Sequence, residues 1–388
     1  MTAALAPDSA ALADAAHAWS TAYVHVPFCA RVCPYCDFAV SVGSDHLAGR
    51  FVDAVVAEIE AAPAWPALDA VYLGGGTPSR LSAEQAARIL RALRSRPGLA
   101  ADAQVSLEAN PEDWIPAHSA ALRSAGFNRV SLGAQSFDDD VLRRLGRVHS
   151  AEDTRRAVAA SRIAGYASVN LDLIFGTAGE TLESWRATLE EALLLQPDHV
   201  SCYALTVELG TRLGREVAAG AAAPDPDLQA DMYELAVELL GAAGMVRYEV
   251  SNWARPGHEC RYNLAVWAGA EYLAFGPAAH RHVGGIRSRN LRRLSDYLEE
   301  VEAGRSPARG DEHLDGWGAE VERVFLGLRR TAGVEAGRAG LALAGSAEGR
   351  RLLDAGVLAV EGERLVVRRP LLTDAAERAL LSLPPADR

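Results

Sequence analysis

Along the chain, short apolar runs alternate with longer stretches whose apolar residues recur every three or four positions. Six runs, Tyr23–Val26, Ala70–Leu73, Gln104–Leu107, Arg129–Leu132, Ser168–Ile174 and His199–Leu205, are rich in β-branched residues and read as strands. Between them the period changes. Leu47, Phe51, Val55 and Ile59 fall on one helix face. Ser82, with Gln85 three residues on, makes a capping box ahead of Ile89, Leu90 and Leu93. Ser150 caps the helix after it, and Leu182, Trp185, Leu189 and Leu193 stripe another. Six strand-then-helix units imply a parallel sheet with helices outside, an α/β fold whose chemistry sits at the C-terminal ends of the strands.

Further along, Gly220–Asp227 reads as a loop before a helix over Leu228–Leu240. Composition shifts again near Arg305–Asp311, and a hairpin follows: Val357–Val360, a turn at Glu361–Glu363, then Leu365–Val367. The expected organisation is an N-terminal extension over 1–20, a six-unit core over 21–250, a connecting segment over 251–310, and a small winged-helix-like α+β domain over 311–388.

The charge of −12 argues against a nucleic-acid partner held on a broad basic face. All 39 basic residues are arginine, which removes Schiff-base chemistry and a phosphate loop that needs its lysine. The Ala-rich start, interrupted by Asp8 and Asp14, lacks the pattern of a signal peptide, and no apolar stretch is long enough to span a membrane. A cytoplasmic protein is expected.

Three of the five cysteines fall in YVHVPFCARVCPYCDFAV, where Cys29, Cys33 and Cys36 keep a C-x3-C-x2-C spacing just after the first strand. In a reducing compartment this reads as a metal site. One short loop with three thiolates can wrap three corners of an iron–sulfur cubane and leave one iron open to a ligand. The alternative is a structural zinc ion completed by His25, Cys202 or Cys260.

The next strand ends have chemistry of their own. VYLGGGTPS, over 71–79, runs a strand into three glycines, which let backbone approach a ligand, although an ordinary turn has the same composition. Glu108 in SLEANP is placed to face a ribose or an ammonium, or is a solvated loop acid. Gln135 in SLGAQSF follows the fourth strand. Asp172, amid Val169, Leu171, Leu173 and Ile174, is costly to bury without a ligand or an arginine partner.

The cysteine loop and these motifs resemble the radical S-adenosylmethionine (SAM) superfamily, which implies a partial (β/α)6 TIM-type barrel. It also implies a [4Fe–4S] cluster on Cys29, Cys33 and Cys36, SAM at its open iron, Tyr35 beside the third cysteine and an external electron donor. Over nearly the whole chain the order of motifs is similar to one branch, the oxygen-independent coproporphyrinogen III oxidases and their relatives. That resemblance implies Tyr23, Gly75, Thr77 and Glu108 around a first SAM. It implies Gly76, Gln135, Arg147 and Asp172 around a second SAM-like site, with Ala204 contributing backbone.

Within the branch, oxidases carry a further cysteine two residues after the third, where this chain has Phe38. The CDF ending resembles the HemW-type haem chaperones, which implies haem as ligand and acceptor haemoproteins, such as respiratory cytochromes, as partners. Oxidase chemistry and a radical enzyme with another substrate are the rival expectations. The chaperones' H-N-x-x-Y-W motif corresponds here to the end of Cys260–Trp267, with Tyr262 in place of His and Val266 in place of Tyr. Tyr262, Cys260, His258 and His280 are then the candidate haem ligands. His280 is preferred because neutral imidazole ligates iron without assistance. Tyr262 would need help to ionise, from Arg261 or the metal, and Trp267, Tyr272 and Phe275 are expected to flank the macrocycle.

Overall fold

The computed structural model describes residues 18–314 and 316–385, so residues 1–17 of the expected extension lie outside the described residues. Each apolar run is a strand: β1 Thr21–Val26, β2 Leu68–Gly75, β3 Leu99–Ala109, β4 Arg129–Gln135, β5 Ser168–Phe175 and β6 His199–Ala204. They pair in parallel in the order β1-β2-β3-β4-β5-β6, with β1 and β6 not joined, so the barrel is open. Alternate residues divide the work. Ala22, Val24 and Val26 of β1 and Val130, Leu132 and Ala134 of β4 are buried in the main apolar core. Their neighbours Tyr23, Ser131 and Gln135 lie on the opposite, inner face of the sheet.

The helices follow the capping signals. Ser82 and Gln85 close a reciprocal box on helix Ala83–Ser95, and Ser150 with Asp153 does the same for Ala151–Ala164. Phe51, Val55 and Ile59 of helix Ala48–Glu60 are fully buried, as are Trp185 and Leu189 of helix Leu182–Leu194.

The segment 251–310 is more than a connector. Tyr272–Phe275 pairs in parallel with β1, and His280–Val283, Ile286–Asn290 and Ala308–His313 extend the sheet beyond it. At the other end Asn252–Ala254 pairs antiparallel with β6. Beyond this sheet, Leu358–Glu361 and Arg364–Val367 form the expected hairpin. With Val334–Glu335 and four helices it encloses a separate core around Val324, Leu343, Leu365 and Leu380. No helix of the described residues is long and apolar enough to cross a membrane.

Candidate functional site

A cavity of about 430 Å³ opens at the C-terminal ends of β2 to β6. Its lining includes Cys29, Cys33, Cys36, Tyr35, Gly75, Gly76, Thr77, Glu108, Gln135, Arg147, Asp172 and Ala204, residues far apart in sequence that the barrel brings together. Phe38, which is 61% exposed, and Val148, which is 50% exposed, stand at its rim.

The cysteine loop leaves β1 and folds back over β2. Two backbone bonds pin it there, from Gly76 N to the Val26 carbonyl and from Thr77 N to the Phe28 carbonyl, both at 2.8 Å. This close approach explains the glycines. A Cβ on Gly76 would sit 2.7 Å from the Val26 oxygen, and one on Gly75 would overlap the His25 ring. Gly75 also has φ +103°, which favours glycine. Thr77 Oγ1 lies 3.5 Å from Cys29 Sγ, and Arg147 donates to Cys33 Sγ at 3.8 Å.

The donors suit an iron–sulfur cluster and do not suit zinc. None of the proposed fourth zinc ligands is free to join the three thiols: Cys202 and Cys260 are buried in apolar clusters, and both ring nitrogens of His25 are bonded, to Ala39 O and Tyr23 Oη. Among the described residues no three His, Cys, Asp or Glu side chains converge on a single ion. Three soft thiols around one cavity, with a guanidinium beside them, fit a cluster with one open corner. Burial raises the thiols of Cys29 and Cys36, the latter to about 11, so iron binding must drive off their protons.

Opposite the loop, Glu108 accepts from the Tyr72 hydroxyl at 2.9 Å and from Gly75 N at 3.1 Å. Burial, and then the Asp172 carboxylate, push its carboxyl up to about 7. Asp172 is not orphaned in its strand: it accepts from Ser131 Oγ at 2.7 Å and Asn170 Nδ2 at 2.8 Å. Gln135 adopts φ +62°, strain of the kind that collects at functional sites and here turns its side chain toward the cavity.

Tyr23 lies elsewhere. It does not border the cavity but stacks on both Tyr72 and Tyr262, at centroid distances of 6.3 and 5.7 Å. Tyr262 also stacks on Tyr72 at 5.4 Å, and burial pushes its phenol well above the ordinary value. Arg261 gives it no help, because its guanidinium turns outward to Asp102 at 3.0 Å and over the Trp19 ring. The expected aromatic flank does not form. Trp267 lies under Arg329, and Tyr272 and Phe275 alternate onto opposite sides of their strand into separate clusters. His280 is exposed, opposite Arg289 in its hairpin. Partial burial and the Arg289 charge hold its imidazole below the ordinary value, in the neutral form that ligates metals.

Several contributors escaped the sequence reading. Tyr72 and Asn110 stand inside motifs quoted for their neighbours. His149 lies two residues beyond Arg147 and accepts from it at 3.3 Å, and Glu112 lies within 4 Å of both. Their only signal was position beside a strand end.

Comparison with known proteins shows the family and the fold. A family model described as the radical SAM superfamily matches residues 23–192. The heme chaperone HemW of Mycobacterium tuberculosis strain H37Rv is 43% identical over 369 residues, 92% of this chain and 94% of that protein. HemW of Bacillus subtilis is 34% identical over 81% of this chain and 84% of its own length. The solved structure of coproporphyrinogen III oxidase (HemN) from Escherichia coli, a radical SAM enzyme, gives a TM-score of 0.80 at 24% identity. It covers 96% of this chain and 93% of that one, which shows a shared fold.

Proposed function

The chain belongs to the HemW family of radical SAM proteins, and we propose that it is a haem chaperone, holding haem and passing it to acceptor haemoproteins. Its long identity with curated haem chaperones supports the reading. The structural observation that carries it is the rim of the cavity. Three thiols border the space, and Phe38, exposed at the position where the resembling oxidases have a further cysteine, offers an apolar face.

In this reading Cys29, Cys33 and Cys36 hold a [4Fe–4S] cluster, fed by an external electron donor, that supplies the electron for reductive chemistry on SAM. The chain's own residues do the positioning. The Gly74–Thr77 turn exposes backbone toward the SAM amino group. Glu108, kept in place by Tyr72 and Gly75, receives a polar group of SAM, and Gln135, Asp172 and the backbone at Ala204 border the space for a second such molecule. His280 would hold the haem iron through its neutral imidazole. The protein works in the cytoplasm, and its acceptors are haemoproteins of the respiratory-cytochrome kind.

The test is transfer. Protein loaded with haem under anaerobic conditions is mixed with an apo-cytochrome, and the acceptor's own spectrum is followed. Appearance of the acceptor's haem spectrum faster than with free haem supports the reading. Haem retained indefinitely, or transfer no faster than from solution, counts against it.

A further inference from the structure

Arg147 was expected at a second SAM-like site. Its donors are already committed elsewhere. A guanidinium has five N–H groups. Here Nε donates to His149 Nδ1 at 3.3 Å, one terminal nitrogen donates to Cys33 Sγ at 3.8 Å, and the other donates to Asn110 Oδ1 at 2.6 Å and the Gly133 carbonyl at 3.3 Å. One N–H is left.

The arrangement is locked from behind. His149 has a fully buried side chain, and its Nε2 lies 2.9 Å from the Ala134 carbonyl, which can only accept. The ring proton therefore sits on Nε2 and leaves Nδ1 free to accept from Arg147. Glu112 stands 3.9 Å from the guanidinium and 3.4 Å from the His149 ring. Burial works against its ionisation, and the Arg147 guanidinium favours it. The side chain of Arg147 is only 8% exposed, so solvent screens its charge little.

We infer that Arg147 is a tuning residue for the metal cluster: its N–H bond to the Cys33 sulfur raises the cluster's reduction potential, and His149 and Glu112 position it for that bond. Hydrogen bonds to cluster sulfurs and nearby positive charge stabilise the more negative, reduced form. The inference rests on the cluster assignment proposed above.

The experiment is a redox titration of the anaerobically reconstituted full chain, without SAM, followed by electron paramagnetic resonance. Wild type is compared with Arg147→Gln, Arg147→Lys and His149→Phe, each with iron and sulfide counted. Arg147→Gln should move the midpoint to a more negative potential at full iron content. Arg147→Lys, which keeps a charge but not the fork, should fall between the two. His149→Phe, which frees the guanidinium, should shift the same way by less. Arg147→Gln at the wild-type potential overturns the inference. If that variant takes up no iron, His149→Phe decides, and a wild-type midpoint there overturns it equally. Wild type that binds no iron at all takes down the cluster assignment itself, which the iron count reveals before any potential is read.

Discussion

Tyr262 stacks on Tyr23 with ring centroids 5.7 Å apart and planes 22° apart, so the residue standing where the related chaperones have a motif histidine is part of the barrel's inner packing. Tyr72 completes the stack, and Tyr272 meets Tyr262 edge-on at 6.1 Å. Aromatic pairs of this kind contribute about 0.5–1.5 kcal/mol each beyond burial. A ring so held, with its phenol pushed upward by burial, is a poor source of phenolate for iron.

Haem affinity should therefore survive Tyr262→Phe, which keeps the stack, and fall at least tenfold in His280→Ala. Soret titrations of the two variants check this. Loss of binding in Tyr262→Phe with His280→Ala unaffected would reverse the ligand assignment.

A second expectation concerns Cys29, Cys33 and Cys36. Alanine at any one of them should abolish the cluster's absorbance near 400 nm and its iron, with folding intact by far-ultraviolet circular dichroism, since none of the three is among the buried residues of the main core. Stoichiometric zinc and no iron after anaerobic reconstitution of wild type would contradict the site.

Glu108 gives a pH dependence. With its carboxyl raised to about 7, the SAM-free protein holds a proton there below that pH. A ligand that prefers the carboxylate lowers this value on binding, so SAM affinity should rise as pH increases through about 7 and level off above. Calorimetry in two buffers of different ionisation enthalpy should show proton release near pH 6.5. Glu108→Gln should abolish the slope and weaken binding by about 1.5–3 kcal/mol. An unchanged slope would remove Glu108 from the SAM site.

Glu249 makes a separate contribution to stability. It is buried, accepts from Ser251 N and Asn252 Nδ2, and is raised to about 7 by burial. The folded protein thus keeps a proton that the unfolded chain has released between about 4.5 and 7. The sign is destabilising: stability is lost as pH rises through that window. Glu249→Gln should flatten thermal stability between pH 5 and 8, by about 1–3 kcal/mol at the upper end. A variant with the same pH profile as wild type would show that the carboxyl is not raised.

How much of this could be read from the chain depended on how each feature is encoded. β1 to β6 were legible because apolar residues recur at the positions that face the core. The cysteine loop and the glycine turn were legible because their chemistry is local. The strands His280–Val283 and Ile286–Asn290 were not, since HRHV and IRSRN are polar and half-exposed and have no such run. Contacts between distant residues also left no mark. Arg147 meets Cys33 across 114 positions, and the Tyr23 and Tyr262 rings meet although nothing in either segment shows which way its side chain faces.

Phe38 predicts what the protein does not do. With reductant and SAM, coproporphyrinogen III should yield no protoporphyrinogen, and Phe38→Cys alone should not restore the reaction. Product formation by wild type, followed by fluorescence after oxidation, would return the chain to the oxidase class.

One titration tests haem binding by the cluster-loaded protein most directly. Anaerobically reconstituted protein, with iron and sulfide counted in the same sample, is titrated with haem and read at the Soret band. The expected result is one [4Fe–4S] cluster and saturable binding of one haem per chain, lost in His280→Ala while the cluster remains. A full cluster with no saturable haem binding would contradict it, leaving a radical SAM protein whose cargo is not haem.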